Sequence, residues 1–304
     1  MNRELKHVYS KLNKVMPKGR VFKDENMAQH TSYKIGGDAK VFVEIKTLED
    51  VILALDVLNS SKVKYFVLGK GTNTLFDDNG YDGVVLHISK DFSNMYRKGN
   101  KIVCASGASL NSLCNYACEH GLSGLEYAYG IPGSVGGAVY MNASAFDYMT
   151  SNVATSVLAV IDGKITLIKK EDCNFSYKHS IFMEKPNSII LQVEFALKKG
   201  NKKEIMNTML NVMATRKERQ PLDFPSCGCV FKQHKDINVS KTIDEDGLKG
   251  YTIGGAQIST KHASFIINLG NATSADILAV AEYVKKHFLN KYNIQLDYEV
   301  IYVK

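Results

Sequence analysis

Gly130-Ile131-Pro132-Gly133-Ser134-Val135-Gly136-Gly137-Ala138-Val139-Tyr140-Met141-Asn142 holds four glycines, one proline and no charged residue. Glycine lets backbone N–H groups approach a ligand that any Cβ would hold away. Successive N–H groups in such a turn form an anion-binding concavity, whose natural guest is a phosphate or pyrophosphate. Taken alone, the run is equally a tight packing turn between strand and helix. A second run, Leu68-Gly69-Lys70-Gly71-Thr72-Asn73-Thr74, follows the apolar stretch Val63–Val67 as a strand emptying into a glycine turn. It has neither Walker spacing nor the G-x-G-x-x-G order. Two such turns, each beside an apolar strand, suit a long ligand that carries a diphosphate and is gripped at more than one point. A flavin dinucleotide meets that description.

The 304 residues suffice for one large domain or two to three small ones with a substantial core. The net charge of +7 comes from 38 basic and 31 acidic residues, and the lysines are scattered in pairs such as Lys198-Lys199 and Lys202-Lys203. Nucleic acid demands a concentrated patch, so a solvated surface or phosphorylated small molecules fit better. No apolar run approaches the ~18 residues of a membrane helix. The start, MNRELKHVYSKLNKV, places charges where a secretory segment is apolar, and the expected location is cytoplasmic. Cys104, Cys114, Cys118, Cys173, Cys227 and Cys229 are then reduced thiols. No Cys or His spacing points to a metal site.

Along the chain, apolar spacing predicts a helix over about Glu4–Val15, and Thr47-Leu48-Glu49-Asp50 reads as a capping box for a helix reaching Asn59. Strands are predicted at 40–45, 64–68, 83–88, 101–105, 157–162 and 189–197. A helix begins at Ser109 and stops at Gly121. The polar stretch Lys198–Lys203 marks the main domain boundary and precedes a helix that Pro221 ends. Turn-rich strands follow to Asn268, then a helix capped at Thr273–Asp276, then a closing strand over Ile294–Val303.

Three features bear on chemistry. Cys229 lies in Pro225-Ser226-Cys227-Gly228-Cys229-Val230-Phe231, where proline and glycine fix the backbone before an apolar strand, either to hold one side chain at a pocket or simply to pack a small thiol. Glu299 lies in the closing strand, where an isolated carboxylate usually faces water. Phe175-Ser176-Tyr177-Lys178-His179-Ser180-Ile181-Phe182 is aromatic, cationic and hydroxyl-rich, or an ordinary strand and loop.

Read together in order, HTSYKIGG, LGKGTNTLF, GLEYAYGIPGSVGGAVYMNA, FSYKHSIF, RQPLDFPSCGCVF, IGGAQISTKHASFIIN and YEV resemble the UDP-N-acetylenolpyruvoylglucosamine reductase family from about His30 to Glu299. The length, without room for a large insertion after Val193, resembles its shorter subtype. The resemblance implies an α+β fold: a two-lobed FAD-binding domain of the vanillyl-alcohol-oxidase type, then a C-terminal α/β substrate-binding domain. Residues 1–200 would form the first, with a lobe boundary near 90–100, and 201–304 the second, with the strand at about 292–304 packing back on the first lobe. It implies reduction of UDP-N-acetylglucosamine enolpyruvate to UDP-N-acetylmuramate in bacterial peptidoglycan synthesis, with bound FAD and NADPH as co-substrate, by a monomer whose partner is the sugar nucleotide.

The resemblance further implies Cys229 as proton donor, with Glu299 and Lys178 stabilising the enolate. FAD would be held by Tyr33, Ile35, Gly69, Lys70, Gly71, Thr72, Asn73, Thr74, Gly130, Pro132, Gly133, Ser134, Gly136, Gly137, Asn142 and Val193. The substrate would meet Tyr177, Arg216, Arg219, Gln257, Lys261 and His262. Lys178 stands where the family has arginine, which keeps the cation but loses the planar fork; Arg216 or Arg219 could supply it. Ser144 and Phe146 stand where the family continues with glycine and tyrosine. Two other readings are a different FAD oxidase or dehydrogenase on the same scaffold, which the joint Cys229 and Glu299 strings oppose, and an inactive nucleotide-binding homologue.

Overall fold

In the computed structural model, which describes residues 1–185 and 187–304, distant segments of the chain gather into two units. Unit 1 is Met1–Lys23, Val41–Lys70 and Gly83–Thr215; unit 2 is Asp24–Lys40, Gly71–Asp82 and Arg216–Lys304. The division at Thr215 falls inside one continuous helix, Lys202–Arg219.

Unit 1 is built on two sheets. The helices Arg3–Val15 and Leu48–Asn59 form because apolar residues recur every three to four positions, and Thr47 and Asp50 cap the second with a reciprocal capping box. They bury Leu5, Val8, Leu12, Val51 and Ala54 in one cluster with Val43, Val84 and Leu86. Those last residues belong to a four-stranded sheet in the order Val21–Asn26, Asp38–Ile45, Tyr81–Ile88, Tyr65–Leu68, in which Tyr65–Leu68 runs parallel to Val84–His87. A second sheet of five strands orders Lys164–Lys169, Ala154–Ile161, Ile189–Ala196, Lys101–Ala105 and Met95–Lys98, all antiparallel. The helix Leu110–Glu119 covers it with Leu113, Cys114, Ala117 and Cys118, the two thiols spaced one turn apart. Gly121, at φ +63°, lets the chain leave that helix.

Unit 2 centres on a three-stranded antiparallel sheet, Thr252–Ile253, Ala256–Ile258 and Ile266–Asn268. Against it lies the helix Ser274–Tyr292, capped by Thr273 with Asp276, whose Ile277, Val280, Ala281, Val284 and Phe288 are buried. Each of these side chains except Ala281 contributes roughly 1.5–3 kcal/mol of burial. Two expectations need correcting here. Val239–Glu245 is a helix, capped by Asn238, where turn-rich strand was expected; its β-branched Val239, Thr242 and Ile243 mimic strand composition but bury one helical face. The closing strand is only Ile301–Val303, paired in parallel with Thr74–Phe76. Upstream of it, the N–H groups of both Glu299 and Val300 point to the one Val230 carbonyl, at 2.8 and 3.4 Å, which breaks the ladder as a bulge does.

Candidate functional site

In unit 1 the two glycine-rich runs come together. Tyr65–Leu68 delivers Gly69, and a methyl group there would lie 2.6 Å from the Ser134 hydroxyl oxygen. Ser134 caps the helix Val135–Tyr140, its Oγ accepting from Gly137 N–H at 3.3 Å. Gly136 N–H donates to the Ser106 carbonyl at 2.8 Å and Val135 N–H to that of Ala108 at 2.9 Å, so a side chain at Gly136 would strike Ser106 Cβ at 2.8 Å. Gly69 and Gly136 therefore leave room for the serine side chains packed against them. Beside them the Ser106 hydroxyl is buried without a hydrogen-bond partner among the described residues. A buried polar atom of that kind awaits a polar guest, so this cradle fits a flavin dinucleotide.

Asn142, in the left-handed region at φ 43°, ties that cradle to the next candidate. Its amide donates to the Ser176 carbonyl at 2.8 Å and its carbonyl accepts from Ser151 N–H at 2.9 Å. Ser176 and His179 close a tight turn with two backbone hydrogen bonds of 3.2 Å, leaving Tyr177 and Lys178 at its tip. Lys178 has φ +53°, rare for a residue with a Cβ, and Tyr177 is exposed. Val193 is fully buried at mid-sheet, between Val157 and Cys104.

Unit 2 gathers the other candidates. Gly71, at φ +62°, packs so tightly that a Cβ would fall 2.0 Å from the His30 carbonyl oxygen. Asn73 donates from its side chain to the Glu299 carbonyl at 2.9 Å, and its own carbonyl accepts from Ile301 N–H at 3.0 Å. The Cys227 thiol donates to the Thr74 carbonyl at 3.4 Å, and burial pushes it up to about 12. Tyr33 and Ile35 are buried in the same cluster.

Cys229 pairs with Phe265 and Phe231 with Tyr298 across antiparallel bridges, the last two rings stacking at 5.6 Å. Val230 between them donates to the Ser264 carbonyl at 2.9 Å and accepts from Glu299 N–H. The strand segments bearing Cys229 and Glu299 are thus neighbours, joined at Val230. Of the six cysteines, Cys229 alone is only partly buried.

The substrate candidates other than Tyr177 are spread around the rest of unit 2. Arg216 is buried and Arg219 exposed, at the end of the helix Lys202–Arg219. Lys261 donates to the Lys217 carbonyl at 2.7 Å, and Gln257 to Thr252 Oγ1 at 2.9 Å. Burial and then the Lys249 ammonium hold His262 below its usual value. The serines at 106 and 264, both buried with unpartnered hydroxyls among the described residues, carry no signal in the sequence, where serine beside a strand reads as a turn. A surface depression of about 430 Å³ lined by Ser151, Lys170, Glu171, Asn174 and Phe175 holds none of the candidates. Among the described residues no cluster of three His, Cys, Asp or Glu side chains is placed to hold a metal, and no helix is long and apolar enough to cross a membrane.

Unit 1 carries a glycine cradle that fits a flavin-binding protein, and unit 2 carries Cys229 and Glu299 on neighbouring strand segments. Residues 39–166 match the FAD binding domain family, and residues 220–303 match the UDP-N-acetylenolpyruvoylglucosamine reductase, C-terminal domain. The UDP-N-acetylenolpyruvoylglucosamine reductase of Pseudothermotoga lettingae is 45% identical over 91% of this chain and 95% of its own, and that of Fervidobacterium nodosum 43% over 92% and 91%. The crystal structure of the reductase from Thermus caldophilus covers 92% of this chain and 97% of its own at TM-score 0.79 and 31% identity. Alkyldihydroxyacetonephosphate synthase, at 13% identity and TM-score 0.50 over 64% of this chain and 40% of its own, shares the fold alone. The chain belongs to the UDP-N-acetylenolpyruvoylglucosamine reductase family, and its fold is α+β with an FAD-binding domain followed by the family's C-terminal domain.

Proposed function

We propose that this protein reduces the enolpyruvyl group of UDP-N-acetylglucosamine enolpyruvate to give UDP-N-acetylmuramate for peptidoglycan, using bound FAD and NADPH. The observation that carries the reading is Val230, whose carbonyl takes the Glu299 N–H one residue away from Cys229. Residues 1–200 would serve the cofactor and 201–304 the substrate, in a cytoplasmic monomer. When bound, FAD would supply the hydride-transfer chemistry that couples NADPH oxidation to reduction of the vinyl ether at its terminal carbon.

The chain's own residues do the rest. The turns at Gly69–Thr74 and Gly130–Gly137 would hold the cofactor's diphosphate, the second through backbone other than the Gly130, Ile131, Val135, Gly136 and Gly137 N–H groups, which are bonded within the chain, with Tyr33, Ile35, Asn142 and Val193 shaping the site around them. As negative charge develops next to the substrate carboxylate, Glu299, as a protonated acid or through a polarised water, and the Lys178 ammonium stabilise it. Cys229 donates its proton to that carbon. A thiol of reference pKa about 8.5 does so more readily than an alcohol. Tyr177, Arg216, Arg219, Gln257, Lys261 and His262 position the sugar nucleotide.

Turnover tests the reading. NADPH consumption by the flavin-loaded protein should depend on the enolpyruvyl sugar nucleotide, and oxidation of an unrelated alcohol at a comparable rate would overturn it.

A further inference from the structure

Asn73 holds the strand segment that carries Glu299 with two of its groups. Its side-chain amide donates to the Glu299 carbonyl at 2.9 Å, and its own carbonyl accepts from Ile301 N–H at 3.0 Å. Both residues are half-buried, and both belong to unit 2. In a regular parallel pair, the residue that accepts from Ile301 would give its backbone N–H to the Glu299 carbonyl. In this chain the side-chain amide makes that bond. Parallel pairing proper starts one residue on, at Thr74 opposite Ile301.

The contact falls where the backbone needs it. The N–H groups of Glu299 and Val300 both point to the Val230 carbonyl, so the ladder is interrupted there and does not fix the segment by itself. With Val230 on the Glu299 N–H and Asn73 on its carbonyl, both peptide groups that flank the Glu299 Cα are held. Tyr298, the preceding residue, is clamped as well. Its hydroxyl donates to Glu282 at 2.6 Å, its ring stacks on Phe231 at 5.6 Å, and the Lys285 ammonium lies 4.5 Å from the ring centre.

We propose that Asn73 is a positioning residue for Glu299, its side-chain amide setting the backbone from which the carboxyl works rather than gripping the cofactor. The inference rests on the reading of Glu299 as the acid that stabilises developing charge. A misplacement of about 1 Å at such a group can cost on the order of a hundredfold in rate. The interrupted ladder leaves that freedom open, and the Asn73 amide closes it.

Asn73→Ala removes the donor, and Asn73→Asp replaces it at the same size with an oxygen that faces the carbonyl. On the flavin-loaded proteins, hydrogen exchange over residues 296–303 should quicken about fivefold in both variants. In stopped flow, reoxidation of the flavin by substrate should slow about tenfold or more. Reduction by NADPH, and the dissociation constant for FAD read by flavin fluorescence, should stay within about twofold of the parent. Relative to the parent, Asn73→Asp should recover as pH falls from about 7 to about 5, because a protonated carboxyl donates again; Asn73→Ala should not. Unchanged exchange in both variants overturns the proposal. So does FAD affinity lowered about tenfold with equal losses in both half-reactions, which gives the side chain to the cofactor. Exchange reads the Asn73 contact whatever Glu299 does in turnover; a Glu299→Gln protein that reoxidised its flavin at the parent rate would instead overturn the acid role alone.

Discussion

The glycine cradle of unit 1 and the thiol-bearing ladder of unit 2 solve different problems. Around Ser134 and Gly136 the glycine backbone packs directly against serine side chains, so a Cβ at Gly69 or Gly136 strikes Ser134 or Ser106. Around Val230 the backbone is an ordinary antiparallel ladder with one bulge, and specificity lies in which side chains it carries. Substitution in the cradle should therefore damage the fold, and substitution on the ladder should damage the rate. The largest expected effect is on the ladder: Cys229→Ala should slow reoxidation of the flavin by substrate by about 10²–10⁴-fold. In stopped flow the loss should fall on that half-reaction and not on reduction by NADPH; equal loss in both would erase the contrast.

In the cradle, Gly136→Ala should lower stability by about 1–3 kcal/mol through overpacking against Ser106, whereas Cys229→Ala, at a half-open position, should leave the urea midpoint nearly where it was. A Gly136→Ala protein as stable as the parent would show that the cradle yields. Acid should separate the units next. Asp246 in unit 2 is opposed by burial, but hydrogen bonds from Lys291, His287 and Tyr292 outweigh it and hold the carboxyl at about 2, below the ordinary 3.8. A depressed carboxyl stabilises the fold above its unfolded value and loses that contribution as pH falls from near 4 towards 2. The urea midpoint should fall across that window, and Asp246→Asn should flatten the fall; an equally steep fall in the variant would exclude Asp246. Smallest is Lys178→Arg, which restores a planar fork at a half-buried position of the turn tip and should leave turnover equal or raise it up to about fivefold, one hydrogen bond's worth. A collapse would mean that the turn is shaped for lysine.

Local signals in the sequence were enough for much of this. Thr47 with Asp50 and Thr273 with Asp276 announce their helices because a capping box is complete within four residues. The cradle was legible as glycine-rich, although nothing in the order of residues says that Gly69 lies against Ser134. What stayed hidden depends on partners far along the chain. The segments 24–40 and 71–82 join residues beyond 215, and the bulge at Glu299 exists only because Val230 is opposite. The orphan hydroxyls of Tyr33, Ser106 and Ser264 were equally invisible, since a missing partner leaves no pattern.

The parallel pairing of Thr74–Phe76 with Ile301–Val303 has a consequence for biosynthesis. Tyr33, Leu75 and Phe76 emerge from the ribosome long before Cys227, Val230 and the residues around 300 that enclose them. Chains are made from the amino end at about 5–20 residues per second, so these apolar side chains wait some ten seconds or more without their native cover. During translation they are the natural docking points for a holdase.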